Sequence, residues 1–332
     1  MYNEERLIEV KEKMDTTNFS GVVSIKVEDK IVLEEARGYL ERANEIPNKA
    51  TTIFGIASGA KLFTSLGIMR LVEKEMIKLD DLAFEYVPFN YPTYDKTVTI
   101  KQLLTHTSGI PDYFDEEFIA DFDNFRVSVP WNDLLKPSEY LEIMPHREMK
   151  FTPGTKFSYN NSAFVFLAVI IEKLTGDYHE WIKKEVLERA DMKDSGFFML
   201  DRLPSNCANG YVELENGKWR TNIYNLPIIG GGDGGIFTTA NDLIKFWENL
   251  MDGNIIDKDL LEQLLTPHVK EEKFGYGLGV WLAKEGEDFV PYIMGEDAGV
   301  SFKSYHNSKK NITYSVLSNT IDGAWEITPL LK

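Results

Sequence analysis

The hydrophobic period along the chain predicts strands near both ends and helices between them. Residues 4–14 carry apolar side chains at helical spacing, which predicts an amphipathic first helix. Two β-rich runs at 21–27 and 31–38 follow, and the polar turn Glu28-Asp29-Lys30 between them predicts an antiparallel hairpin. Towards the other end of the chain the same pattern predicts four more strands, at 277–283, 289–294, 300–306 and 312–319.

Helical patterns dominate the middle of the chain. They predict helices at 61–75, 101–105, 162–174 and 241–251. The simplest assembly is an α/β (α+β) fold, in which the N- and C-terminal strands form one antiparallel sheet flanked by helices. We expect an α/β lobe of about residues 1–57 and 230–332 and a mainly helical inserted lobe of about residues 58–229. A cleft between two such lobes is a common place for an active site.

Composition narrows the class of partner. Hydrophobic residues make up 43% of the 332 positions, which is enough for a sizeable core and too much for a disordered chain. The 36 basic and 53 acidic residues give a net charge of −17. An average surface of that sign repels phosphate backbones and anionic lipid, so we expect no nucleic-acid or membrane-surface partner.

Cysteine and histidine usage predicts neither a disulfide scaffold nor a metal site. Cys207 is the single cysteine, and the five histidines are scattered without the spacing of a zinc site. The longest apolar run, 163–171, is far shorter than the roughly 20 residues of a membrane helix, so we assign it to the core. The N-terminus lacks the features of a secretory signal. The sequence as written therefore predicts a cytoplasmic protein, with a trimmed, exported form as the alternative.

Ser58 and Lys61 are the first candidate catalytic residues. They lie in the segment GIASGAK at 55–61, where a helix is predicted to begin. A serine in the first helical turn lies near free backbone N–H groups and the positive end of the helix dipole. A lysine three residues later lies on the same face and can accept the hydroxyl proton if burial keeps it partly neutral. The structural alternative is an N-cap serine with a solvated lysine.

Tyr159 and Asn161 form the second candidate pair, just before the helix predicted from Ser162. A tyrosine serves as general base or acid if adjacent cations lower its pKa, and a buried lysine would do that. Asn161 offers an amide that can donate to a carbonyl and accept from an amine. The triplet Tyr305-His306-Asn307 repeats the spacing within a predicted strand, so the helix that follows Asn161 distinguishes the candidate.

These two pairs, Ser58-x-x-Lys61 and Tyr159-x-Asn161, resemble the motifs of the class C β-lactamases and their relatives. The relatives include penicillin-binding proteins, D-alanyl-D-alanine carboxypeptidases, D-amino-acid-specific peptidases and esterases. Flanking phrases resemble the same family in the same order, namely LLTHTSGIP at 103–111, FTPGTKFSY at 151–159, IIEKLTG at 170–176 and GGIFTTA at 234–240. The resemblance covers about residues 20–320 and implies one domain over 1–332 with the serine β-lactamase and DD-peptidase fold.

The resemblance implies a serine hydrolase that acts on amide or ester bonds of a small-molecule or peptide substrate. Ser58 would be the acylated nucleophile, Lys61 and Tyr159 would shuttle its proton, and Asn161 would hold the substrate's amide. The backbone N–H of Ser58 would form half of an oxyanion hole, a device typically worth several kcal/mol of barrier. No metal or organic cofactor is implied.

The third motif departs from the family's pattern. Relatives carry Lys or His, a variable residue and Gly on an edge strand, and alignment on Gly295 places Ile293 at the position of the cation. Glu296 would then supply the second oxyanion N–H. In relatives the cation helps to neutralise a substrate carboxylate, which an isoleucine cannot do. Lys284-Glu285-Gly286 has matching letters, but its context predicts a hairpin turn.

Acidic residues crowd the segment that follows the phrase HTSG. They are Asp112, Asp115, Glu116, Glu117, Asp121 and Asp123. This segment is either a solvated loop or a rim of the cleft that repels anionic acyl donors. Together with the missing cation, a rim predicts poor β-lactamase activity and a preference for esters or amides that lack a free carboxylate next to the scissile bond.

Two other functions stay open. A non-catalytic penicillin-binding or sensor protein would keep the fold, although retention of the whole proton relay argues against it. An esterase of the α/β-hydrolase type would use a histidine, but Ser58 is one residue out of register with Gly-x-Ser-x-Gly. We expect His106 to make a structural hydrogen bond. The glycine-rich run 230–235 lacks the ending of a phosphate-binding loop, so we expect no nucleotide site there.

Overall fold

The computed structural model describes residues 2–87, 91–119 and 121–331. These residues contain eight α-helices: α1 Glu4–Thr16, α2 Lys61–Glu73, α3 Ile100–Leu104, α4 Asn161–Thr175, α5 Tyr178–Ile182, α6 Ala240–Asp252, α7 Lys258–Leu265 and α8 Gly323–Ile327. A 3-10 turn at Ala57–Ala60 leads into α2, and a π-helical segment, Lys183–Leu187, follows α5. All five helices predicted from the sequence are confirmed, with ends that differ by one or two residues.

Fifteen strands lie in the same described residues. They are β1 Gly21–Val27, β2 Lys30–Arg37, β3 Tyr39–Glu41, β4 Ile46–Pro47, β5 Phe54–Gly55, β6 Gly196–Phe197, β7 Tyr211–Glu213, β8 Trp219–Thr221, β9 Ile236–Thr238, β10 Val269–Lys270, β11 Phe274–Tyr276, β12 Trp281–Glu285, β13 Asp288–Asp297, β14 Val300–Asn307 and β15 Ile312–Ser318. Three small sheets use β3 to β9, and the other strands form the main sheet.

The main sheet joins the two ends of the chain, as predicted. In the described part its eight strands run in the order β10-β11-β12-β13-β14-β15-β1-β2 and every pair is antiparallel. The junction is the pairing of β1 with β15, in which Gly21 lies opposite Ser318. The predicted N-terminal hairpin is β1 and β2. The mixed architecture with one large antiparallel sheet is therefore confirmed.

One predicted strand, 277–283, is wrong as a single element. The chain leaves β11 after Tyr276 and re-enters the sheet at Trp281 in β12. Between them Gly279 has a left-handed backbone with φ of 77°, and a side chain at Gly277 would come within 2.2 Å of the carbonyl oxygen of Leu264. Glycine tolerates both conditions, so the apolar run bends instead of continuing. The short helices α5, α7 and α8 were also not predicted.

Helices cover the two faces of the main sheet. Along β14 successive side chains alternate, so Ser304 accepts a hydrogen bond from Trp247 of α6 while Ser301 accepts one from the backbone of Ala324 in α8. In α2 every residue from the first to Leu71 is buried, and the apolar run 163–171 of α4 is buried beside it, which confirms its assignment to the core. Among the described helices, none has both the length and the apolar composition needed to cross a membrane.

Candidate active site

Ser58 lies in a strained turn between a strand and a helix. Strand β5 leads into the 3-10 turn Ala57–Ala60, and α2 follows at once. Ala57 has a left-handed backbone with φ of 45°. Residues with a side chain adopt that conformation at an energetic cost, and such residues cluster at functional sites. The turn buries Gly59 and Ala60 and leaves the Ser58 side chain half-buried at the wall of a cleft.

Lys61 is the first residue of α2, and it is only 2% exposed. Its Nζ lies 2.8 Å from the Oγ of Ser58, 2.7 Å from the Oδ1 of Asn161 and 2.8 Å from the carbonyl oxygen of Asp233. Burial lowers the pKa of Lys61, while the surrounding carboxyl groups act in the opposite direction. The alternative of a solvated lysine is therefore wrong.

Tyr159 faces the same lysine, and its ring is held between other aromatic groups. The Nζ of Lys61 lies 4.9 Å from the centre of the ring. Trp281 stacks on the ring at 5.8 Å, and His106 contacts it at 4.4 Å. Burial raises the pKa of Tyr159 well above its ordinary range, the Glu116 carboxyl adds to this, and a hydrogen bond with Ser58 opposes it. The expectation that the pKa of Tyr159 is lowered is wrong, because burial is the largest influence on this pKa and raises it.

Asn161 is fixed by a buried carboxyl group at the start of α4. The Oδ2 of Asp112 accepts from the backbone N–H of Asn161 at 2.7 Å, and its Oδ1 accepts from the backbone N–H of Ser162 at 2.8 Å. The side-chain Nδ2 of Asn161 donates to the carbonyl oxygen of Phe114 at 2.7 Å and to the Oε1 of Glu116 at 3.1 Å. The Asn161 amide therefore bonds to Lys61 through its oxygen and to the 112–116 segment through its nitrogen.

The third-motif segment lies on a strand whose last residues have no strand paired to their outer edge among the described residues. Pairing of β13 with β12 ends at Tyr292, whereas pairing with β14 continues to Asp297. A side chain at Gly295 would lie 2.6 Å from the backbone nitrogen of Ser58, so this strand passes directly over the Ser58 turn. Glycine at this position permits that approach.

The neighbours of Gly295 point away from the cleft or into the core. The Glu296 side chain accepts a hydrogen bond from the Trp325 indole of α8, on the other face of the sheet. Ile293 is 2% exposed within the main hydrophobic core. Lys284-Glu285-Gly286 runs from β12 into a tight hairpin turn closed by Glu285 opposite Asp288, as its context predicts.

The acidic segment is not a uniformly solvated loop. Asp112 and Asp115 are buried, and Asp115 pairs with Lys150 at 3.0 Å. Glu117 is exposed and shares Lys150 at 3.2 Å. Glu116 is exposed, and it accepts a hydrogen bond from Asn161, which lines the cleft. The segment thus borders the cleft through Phe114 and Phe122, while Asp112, Asp115 and Glu117 are engaged in local hydrogen bonds and ion pairs.

Comparison with known proteins identifies the family. The family profile described as Beta-lactamase matches residues 9–325. The chain belongs to the beta-lactamase family. It is 30% identical to PbpX of Bacillus subtilis over 80% of its own length, and it spans 62% of that relative, so the chain covers less than two thirds of this curated protein.

Solved structures support the beta-lactamase family fold. A penicillin binding protein from Bacillus halodurans superimposes with a TM-score of 0.92 at 38% identity, covering 97% of this chain and 98% of that chain. An octameric penicillin-binding protein homologue from Pyrococcus abyssi gives a TM-score of 0.82 at 27% identity, covering 100% of this chain and 77% of that chain. The serine β-lactamase and penicillin-binding-protein fold implied by the resemblance is confirmed.

In this beta-lactamase family member the cleft opens into a pocket. The empty space is about 1060 Å³ including the open mouth. Ser58, Asn161, Asp233 and Asp297 all line it. The rest of the wall is mainly aromatic and aliphatic, with side chains from Phe54, Phe114, Phe122, Phe125, Trp131, Phe198, Leu200 and Leu203. The pocket is therefore suited to an apolar group next to Ser58.

The sequence analysis did not predict two carboxyl groups of the candidate site. Asp233 lies in the glycine-rich run; its Oδ2 accepts from the Tyr113 hydroxyl at 2.6 Å, and burial raises its pKa. Burial, with Asp233 nearby, raises the pKa of Asp297 to about 8. Side-chain alternation along β13 puts Asp297 on the face of Gly295, which is the pattern that could have revealed it.

The hydrogen bonds of the described histidines are with groups other than Ser58. The Nδ1 of buried His106 accepts from the Asn160 backbone at 3.1 Å, so its Nε2 donates to the Tyr276 hydroxyl at 2.9 Å. The structural role predicted for His106 is confirmed. In the described residues, no histidine hydrogen-bonds to Ser58. The same residues contain no cluster of three or more His, Cys, Asp or Glu side chains arranged to hold a metal ion.

Proposed function

We propose that this protein is a serine hydrolase that forms an acyl-enzyme at Ser58. The observation that carries the proposal is the 2.8 Å separation between the Nζ of Lys61 and the Oγ of Ser58, in a lysine that is 2% exposed. A buried amine with a lowered pKa retains a lone pair that can accept the hydroxyl proton. This is an activated nucleophile without histidine.

The reaction has two half-reactions. The Ser58 oxygen attacks the carbonyl carbon while its proton passes to Lys61, which gives a tetrahedral oxyanion. Collapse of the tetrahedral intermediate breaks the bond to the leaving amine or alcohol, and Tyr159 donates its phenolic proton to that group. The proton held by Lys61 then passes to Tyr159 and restores the phenol. Water then attacks the acyl ester, its proton passes through the same groups to Ser58, and a carboxylic acid leaves.

The oxyanion would lie between two backbone N–H groups, those of Ser58 and Glu296. Gly295 supports this assignment because its missing side chain keeps the space beside the Ser58 nitrogen open. Tight hairpins close both ends of β13, at Glu285 opposite Asp288 and at Asp297 opposite Val300. Strand alternation from these hairpins directs the N–H of Glu296 towards the unpaired edge and away from β14. Removal of one such donor typically costs about 10²- to 10³-fold in kcat.

The substrate class that fits best is an amide or ester, including D-amino-acid peptides, without a free carboxylate next to the scissile bond. Ile293 is buried and supplies no cation to the cleft. Asp233, Asp297 and the exposed Glu116 supply carboxyl groups instead. None of the described residues that line the pocket is a Lys, Arg or His, so a substrate carboxylate would lose its hydration there without a compensating cation, which makes β-lactams with a free carboxylate poor substrates.

Intact-protein mass spectrometry tests the nucleophile. Incubation of the wild type with a fluorophosphonate should add one adduct that maps to Ser58, and Ser58→Ala should take up none. Ser65→Ala is a matched control, because Ser65 lies in α2, which directly follows the Ser58 turn, and its hydroxyl donates to the carbonyl oxygen of Leu278. No adduct on the wild type with either a fluorophosphonate or a fluorescent penicillin would support the non-catalytic alternative.

Steady-state kinetics tests the substrate class. The kcat/KM for a neutral ester with a bulky apolar acyl group should exceed that for benzylpenicillin and nitrocefin by at least tenfold, roughly the factor of one charged hydrogen bond. Comparable values for the ester and the β-lactams would overturn the proposed substrate class while leaving the nucleophile in place.

A further inference from the structure

The carboxyl group of Asp297 faces the cleft beside the nucleophile. Asp297 ends β13 in a hairpin opposite Val300, and side-chain alternation places it on the same face as Gly295. A side chain at Gly295 would lie 2.6 Å from the Ser58 nitrogen, so that face covers the Ser58 turn. Asp297, Ser58 and Asn161 line the same pocket. A group attached near the scissile carbonyl would therefore meet the Asp297 carboxyl.

The structure gives Asp297 no hydrogen-bond donor of its own. Among residues 2–87, 91–119 and 121–331, none donates a hydrogen bond to its side chain, in contrast to Asp112 and Asp233. Lys61 acts on Asp297 through space only, since its Nζ bonds to Ser58, Asn161 and the Asp233 carbonyl. A partly buried carboxylate without a partner is costly, so a cationic hydrogen-bond donor on a ligand would relieve that cost.

The remainder of the pocket defines what can accompany that cation. Its described wall contains no Lys, Arg or His, and rings from Phe114, Phe125 and Trp131 pack against one another there. Such a wall favours an aromatic or large aliphatic group over a second charge. The Asp297 carboxyl and the apolar wall are independent features of the pocket that contains Ser58.

We propose that Asp297 is a specificity-determining residue that binds an ammonium group close to the scissile carbonyl of the substrate. The preferred acyl donors are then amides or esters of hydrophobic amino acids with a free amino group. This inference rests on the proposed function of the Ser58 site and deepens it. An amine that arrives neutral takes the proton from a protonated Asp297, so the ammonium–carboxylate pair forms with the proton balance unchanged.

Kinetics on matched substrates tests the proposal. Phenylalanine p-nitroanilide, in both D and L forms, differs from 3-phenylpropanoyl p-nitroanilide by the amino group alone. Asp297→Asn should lower kcat/KM for the preferred amino substrate by about 10- to 100-fold, the range of a charged hydrogen bond, and leave that for the des-amino analogue within about threefold. Taking the ratio between wild type and variant removes the difference in intrinsic reactivity of the two anilides.

Asp288→Asn is the matched control, because Asp288 is an exposed carboxylate at the other end of the same strand. It should change neither rate by more than about twofold, as is usual for exposed ion pairs. An equal loss on both substrates in Asp297→Asn, or a wild type that does not prefer either amino substrate, overturns the proposal.

A binding measurement separates this proposal from the proposed function. Calorimetry with 2-phenylethylamine needs no scissile bond and can be done on Ser58→Ala. Saturable binding that weakens about tenfold or more in Ser58→Ala/Asp297→Asn supports the ammonium site even if the wild type forms no acyl-enzyme. Absence of binding to Ser58→Ala overturns the ammonium site even if the fluorophosphonate labels the wild type.

Discussion

The Nζ of Lys61 lies 2.8 Å from the Oγ of Ser58, in a helix turn whose other contacts bury the lysine almost completely. Desolvation disfavours the ammonium form, while Asp233 and other nearby carboxyl groups favour it, and desolvation is the larger effect on the pKa. The same lysine also bonds to Asn161 and to the carbonyl oxygen of Asp233. The surroundings of Lys61 therefore set its pKa, and with it the fraction of the lysine that is neutral.

We predict that acylation accelerates as pH rises through the pKa of Lys61. Below that pKa the lysine is charged and cannot accept the Ser58 proton, and above it the neutral amine can. The midpoint should lie below the ordinary lysine value of 10.5. The measurement is the burst or single-turnover rate with a neutral ester across pH.

Lys61→Arg should reduce that rate by about 10³-fold, within the range for loss of a general base, because arginine stays charged at every accessible pH. Lys183→Arg, at an exposed position, should leave the rate and the profile unchanged. A profile that Lys61→Arg leaves intact would assign the midpoint to another group.

We predict that Tyr159→Phe harms poor leaving groups more than good ones. The raised pKa of Tyr159 keeps it a phenol, so it is placed to donate a proton to the leaving group. The loss in kcat/KM should be about 10²- to 10⁴-fold for an alkyl amide and clearly smaller for a p-nitrophenyl ester, which needs no protonation. Equal losses on both substrates would point to a role for Tyr159 in Ser58 deprotonation instead.

We predict that Gly295→Ala abolishes activity and lowers stability. The new methyl group would lie 2.4 Å from the carbonyl oxygen of Ile56 and 2.6 Å from the nitrogen of Ser58, so strand β13 must move away from the Ser58 turn. We expect a loss of about 1–3 kcal/mol in the free energy of unfolding, measured by urea denaturation.

Gly234→Ala is the steric control for that variant. Its methyl group would come no closer than 3.7 Å to any neighbour, at the carbonyl oxygen of Ala57. The free energy of unfolding of Gly234→Ala should stay within about 0.5 kcal/mol of the wild type. A stable Gly295→Ala with wild-type kinetics would show that the strand does not constrain the Ser58 turn.

We predict that Asp297→Asn stabilises the protein increasingly as pH rises. The pKa of this carboxyl is raised from 3.8 to about 8, so in that interval the folded state holds a proton that the unfolded state has lost. The contribution of the Asp297 carboxyl to the free energy of unfolding therefore decreases with rising pH. The variant lacks this carboxyl and does not show the decrease. The gain in Tm over the wild type should be small near pH 4 and level off above pH 8. A gain that does not depend on pH would contradict the raised pKa.

The sequence by itself determined the sheet and the first half of the site. The β-rich runs at 21–27, 31–38, 289–294, 300–306 and 312–319, separated by polar turns, predict strands, and the ends of the chain pair as expected. Ser58 and Lys61 are three residues apart, so one helical turn brings them together in any fold that keeps the helix. Local backbone geometry and burial can be predicted from the pattern of residues along the chain.

Only the tertiary structure decided the electrostatics of the site. Lys61 bonds to Asn161, which is 100 positions away in the sequence, and to Asp233, which is 172 positions away. Asp297 comes from strand β13. A pKa depends on desolvation and on charges that distant segments bring within a few ångströms, so the sequence could not show that Tyr159 stays protonated or that Asp297 faces the cleft. The bend at Gly277 and Gly279 could not be predicted from the sequence for the same reason. It depends on the close approach of the Leu264 carbonyl oxygen, which belongs to a segment outside the local pattern.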